Sequence, residues 1–161
     1  MRVSHVVSPQ FDDPNLVSCG GLVPVMALAQ RCGLGELAGR LTLRGEGSAN
    51  PSVKVAGLVA GMLAGADSIG DMDVLRHGGT GRVFDQVRAP STLGTFLRGF
   101  TFGHVRQLDA VAAGFLANLA AATPLLGGAD QVCFVDIDDT IRATHGYAKQ
   151  GVGSATPASR A

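Results

Sequence analysis

The stretch NPSVKVAGLVAGML, residues 50–63, decides the first reading of the fold. Asn50 followed by Pro51 is a helix start, a side-chain acceptor at the cap and a fixed φ at the first helical position. Val53, Val55, Leu58, Val59, Met62 and Leu63 then leave almost no polar side. A helix apolar nearly all round is covered by its neighbours, so this one is expected to be the central, most buried helix of a helical domain. The apolar run Val53–Ala66 is about 14 residues long and too short to cross a bilayer.

Helical periodicity continues on both sides. Upstream, Leu22, Val25, Met26 and Ala29 follow the i, i+3, i+4, i+7 rule over Leu22–Arg31, with Gly33 placed to end that helix. A second short helix, Leu34–Leu41, follows at once, and RGEGSAN (44–50) is a polar, glycine-rich loop. Downstream, Ser68 or Asp67 caps a shorter helix with Ile69, Met72, Val74 and Leu75, which His77–Gly81 breaks. Ser91 caps another with Leu93, Phe96 and Leu97. A long helix starts at about Thr101 or His104 and runs to Ala122, ended by Pro124 and the Gly127-Gly128 pair. Residues 1–18 read as an extended arm. The fold class expected is mainly α, a compact helical domain over residues 1–126.

Composition supports a globular chain: 46% hydrophobic, 16% charged, with only 5% aromatic residues and no Trp, so Leu, Val and Ala build the core. The 23 glycines make the helices depend on packing more than on propensity. Three cysteines, Cys19, Cys32 and Cys133, without CxxC spacing read as small buried hydrophobes in a reducing compartment. No apolar signal-peptide core opens the chain, and the expected location is cytoplasmic. Net charge is zero, but residues 76–106 hold five arginines, Arg76, Arg82, Arg88, Arg98 and Arg106, against one acid, Asp85. Such a stretch fits phosphates, and it equally fits ordinary solvated helix faces.

Past residue 126 the character changes. QVCFVDIDDT (131–140) is a run of β-formers and reads as a buried strand. Alternation puts Asp136 and Asp138 on one face and Asp139 on the other. Two carboxylates roughly 7 Å apart at the end of an apolar strand are costly unless their charge is compensated. Mg²⁺ does this, and phosphoryl transfer on DNA uses metals held in that way. The plainer reading is a strand end whose aspartates form the next turn, Asp139-Thr140 being good turn chemistry. The same DxDxT resembles the first motif of haloacid-dehalogenase-like phosphatases, with Asp136 as nucleophile and Asp138 as general acid. Only 21 residues follow Thr140, few for the α/β domain which that motif opens.

A second resemblance covers nearly the whole chain. VAGLVAGMLAGADSI (55–69), MDVLRHG (72–78), APSTLGTFLR (89–98) and FGHVRQLD (102–109) resemble the N-terminal region of DDE transposases of actinobacterial insertion sequences. VDIDDT (135–140) and THGYAKQG (144–151) resemble their first catalytic strand and the turn after it. The resemblance implies a helical DNA-binding region followed by an RNase H-like catalytic domain, cut-and-paste DNA transposition, and Mg²⁺ as cofactor. By the family's Asp-x-Thr pattern it implies Asp138 as metal ligand and catalytic residue, with Asp136 second. From about Gly153 the sequence departs from the family and lacks its second Asp and its Glu. The expectation is therefore a truncated form, domains 1–126 and 127–153 with a disordered tail over 154–161, which binds DNA and does not cut it alone.

Transposon-end DNA is the expected partner, with a full-length transposase or a second copy as protein partner and no membrane. Arg76, Arg82, Arg88, Arg98 and Arg106 are the candidate phosphate contacts, with Arg142 and Lys149 flanking the acidic turn. A non-catalytic helical interaction module is the remaining alternative. The helices around Leu22–Leu41 match a helix-turn-helix in outline, but Glu36, Arg40 and Arg44 are thin for base reading, so packing is expected of them. His145 is read as a solvent-exposed loop residue, His104 as a surface or cap residue and His77 as structural. Four scattered histidines without HxxxH spacing give no zinc site.

Overall fold

The computed structural model describes residues 13–45 and 47–123. In chain order these form α1 (Leu22–Arg31), α2 (Leu34–Gly39), α3 (Pro51–Leu63), a 3-10 helix (Gly70–Arg76), α4 (Thr80–Val83), α5 (Pro90–Arg98) and α6 (Phe102–Ala122). The described residues are mainly helical and contain no strand. The expected strand over 131–140, the boundary near 126 and the tail lie outside them.

α3 is central: α1, α2, α5 and the 3-10 helix all pack on it. Two apolar clusters lie along its length. Ala29, Leu34, Ala38, Leu41, Val55, Phe96 and Val111 form the first. Leu22, Met26, Ala60, Met72, Leu75 and Leu93 form the second, and Leu58 packs against both. The expectation that α3 is the most buried helix needs correction. Its last turn is open, with Met62 61% and Leu63 54% exposed, whereas its one charged residue, Lys54, is only 5% exposed.

Local chemistry accounts for the helix ends. Gly33, at φ 79°, makes the left-handed turn between α1 and α2, the conformation glycine adopts without strain. Asn50 precedes Pro51 as expected, but it caps by backbone conformation (φ 52°) and not through its side chain. α5 starts two residues earlier than its sequence suggests: Ala89 is the cap, Pro90 occupies the first turn, and Ser91 lies inside the helix. α6 opens with a capping box in which the Thr101 N–H donates to His104 Nδ1 at 3.1 Å, so His104 is the cap residue expected of it.

A strap formed by residues 13–17 crosses the turn before α4. The Gly79 N–H donates to the Leu16 carbonyl at 2.9 Å, and Arg82 donates to the Asn15 side chain. At Gly79 a Cβ would stand 2.7 Å from the Asn15 carbonyl oxygen, and at Gly78 it would strike the Leu16 carbonyl. Only glycines let the two backbones approach this closely.

Candidate nucleic-acid interface

The five arginines of the basic stretch end on five successive pieces of structure. Arg76 closes the 3-10 helix, Arg82 lies in α4, Arg88 precedes α5, Arg98 ends α5 and Arg106 is in the first turns of α6. α4 and α5 both pack on the 3-10 helix, which ties three of these positions to one neighbourhood. All but Arg88 are exposed.

Their partners divide them. Arg76 is paired with Asp73 at 2.8 Å and Arg106 with Asp109 at 3.4 Å, each three residues apart on its own helix. Exposed pairs of this kind are worth less than about 1 kcal/mol, so a phosphate can replace the carboxylate at little cost. Arg82 donates to Asn15 and Arg98 to the Thr95 hydroxyl at 3.1 Å, both neutral acceptors. Arg88 is half-buried, and its Nε has no acceptor among the described residues. Among those residues, then, Arg82, Arg88 and Arg98 carry charge that no carboxylate neutralises.

Lys54, which the sequence reading passed over, adds to this set. Its Nζ donates to the carbonyls of Gly47 at 2.6 Å and Ala49 at 2.5 Å and lies 5.4 Å from the centre of the Phe96 ring. Burial, and then the positive charge of Arg88, hold its pKa below the ordinary 10.5. The available signal was a single lysine in a helix otherwise free of charge. α2 is unsuited to reading bases: it has six residues, is held between α3 and α6, and its polar pair Glu36–Arg40 is closed on itself at 2.7 Å. Packing was the expected role of this helix.

Asp136, Asp138, Arg142, Lys149 and His145 lie outside the described residues, and with them the implied Mg²⁺ site. Among the described residues no group of three His, Cys, Asp or Glu is placed to hold a metal ion. His77 is exposed in the glycine-rich turn, where its carbonyl accepts from the Thr80 N–H at 3.3 Å. Of the cysteines expected to be buried, Cys32 is, Cys19 is half-buried, and Cys133 is not among the described residues. No described helix is long and apolar enough to cross a membrane. The chain matches no family model, no curated protein and no solved structure.

Proposed function

We propose that this chain is the helical, DNA-binding part of a DDE-type transposase, engaging transposon-end DNA through arginines 76–106. The observation that carries the binding half is the set Arg82, Arg88 and Arg98, whose charge no described carboxylate neutralises. Affinity for nucleic acid comes first from such side chains displacing counterions from phosphates. The resemblance of 55–109 and 135–151 to the transposase family supplies the identity of the DNA, and with it the roles of Asp138 and Asp136 toward Mg²⁺. In that reading Arg142 and Lys149 add phosphate contacts beside the acidic turn.

Fluorescence anisotropy on a labelled duplex carrying the inverted repeat of the encoding element tests this. Binding should weaken with salt, with a log–log slope steeper than about −2.7, the value for three phosphate contacts. Arg82→Gln and Arg98→Gln, both at exposed positions, should each flatten the slope by about 0.9. Absence of salt-sensitive binding to either the inverted repeat or an unrelated duplex would refute the proposal. Hydrolysis of a generic phosphomonoester, lost in Asp136→Asn, would move the acidic segment to the phosphatase reading instead.

A further inference from the structure

A cavity of about 430 Å³ opens between α1, α3, the 3-10 helix and the segment that joins α4 to α5. Small-molecule sites occupy about 300–1,000 Å³. Ala56, Gly57 and Ala60 of α3 line it with nothing larger than a methyl group. A Cβ built on Gly57 meets no atom within 4 Å, so the space there runs up to the helix backbone. Another wall is the unbroken run from Val83 to Val87, with Phe84 as its aromatic residue. Within that run Gln86 holds φ 61°, a left-handed conformation that costs a residue with a Cβ. Gln30, Asp85 and Gln86 supply the polar part of the lining. All three are exposed, and their side chains have no partner among the described residues. Arg82 and Arg88 stand immediately before and after the run, neutralised by no described carboxylate, and the buried Arg88 Nε has no acceptor there.

We propose that this cavity takes a nucleobase, with the phosphate attached to it held at Arg82 and Arg88. The methyl-lined floor on α3 admits the face of a flat ring, and Phe84 offers a stacking surface. A carboxylate accepts from a base amino group, which is the part Asp85 plays, while the amides of Gln30 and Gln86 both donate and accept. A plain hydrocarbon would use neither these groups nor the arginines. Inorganic phosphate would leave the apolar lining empty and meet the charge of Asp85. A nucleotide satisfies both halves: an apolar, hydrogen-bonding base and an anion beside it. The same chemistry comes from a free nucleotide or from a base turned out of bound DNA. The second source rests on the DNA binding proposed above, and the first does not.

Two probes titrated into the full chain test this: dGMP, and a duplex with one unpaired guanine set against its fully paired counterpart. The unpaired guanine should tighten binding about tenfold, the gain from stacking one base. Gly57→Leu fills the open space with a residue that also favours the helix. It should abolish that gain and any binding of dGMP, while circular dichroism shows the helices kept and the paired duplex binds with unchanged salt slope. Asp85→Asn, at an exposed position, should reduce the gain for guanine without touching the core. Binding of dGMP lost in Gly57→Leu assigns the cavity to a free nucleotide, and a gain confined to the bulged duplex assigns it to DNA. Equal behaviour of wild type and Gly57→Leu toward both probes would overturn the proposal, even where the paired duplex binds. Failure of the paired duplex to bind, with dGMP binding lost in Gly57→Leu, would instead sink the DNA-binding proposal alone.

Discussion

Lys54 joins three parts of the molecule through one ammonium group. It belongs to α3, donates to two carbonyls of the 44–50 loop, and faces a ring of α5. Lys54→Met keeps the stem and removes the donor, so Gly47 and Ala49 lose their partner. The expected cost is about 1–2 kcal/mol, read from the denaturant midpoint, with faster amide exchange confined to the loop. The pH dependence has a definite sign. Folding disfavours charged Lys54, so its contribution to stability is lowest below its folded pKa and rises as pH approaches the ordinary 10.5. The difference in stability between wild type and Lys54→Met should therefore grow at alkaline pH. Asp71 behaves in the opposite sense. Hydrogen bonds from the Ser68 hydroxyl, first, and from the Ser68 N–H hold its pKa below 3.8. Its stabilisation is present above that value and is lost as pH falls through the folded one, so Asp71→Asn should flatten the acid limb of the stability profile.

At the scale of elements, periodicity located the helices and missed how several of them end. α1 and α3 have the bounds that their apolar spacing predicts, and α6 the start and stop given by Thr101 and Ala122. The segment after Ser68 is different: Asp71 and Asp73 fall early in it and Gly70 opens it, and it winds as a 3-10 helix where an α-helix was expected. α4 is a single turn, too short for any period to register. Side-chain clips were equally invisible, because they join residues far apart in sequence. Gln107 accepts from the Thr42 N–H at 2.9 Å, and Asn118 donates to the Cys32 carbonyl at 2.9 Å. These two bonds flank Val111 and fasten α6 to the helices before it. Removing both in Gln107→Ala/Asn118→Ala should cost about 2 kcal/mol, with hydrogen exchange accelerated in α6 before α3.

For the whole molecule, two clusters on one shared helix imply a single cooperative unit. Leu93→Ala, at 1% exposure, should cost about 3–5 kcal/mol and shift one transition seen alike by circular dichroism and calorimetry. Two separate transitions would show the clusters to be independent. The candidate interface was legible only as a run of arginines. Which of them carboxylates neutralise depends on helix phase and tertiary neighbours, and the sequence alone does not reveal that the charge of Arg88 bears on Lys54.

The strap at Asn15 and Leu16 also sets an order of events during synthesis. Its partners Gly79 and Arg82 come more than sixty residues later, Arg82 being 67 residues from Asn15. At about 5–20 residues per second, Leu16 waits roughly 3–13 seconds after translation before its partner exists. Until then the strap has nothing to fasten to. A nascent chain stalled before residue 79 should therefore be cut by protease near residues 13–17, and one extended past residue 82 should resist.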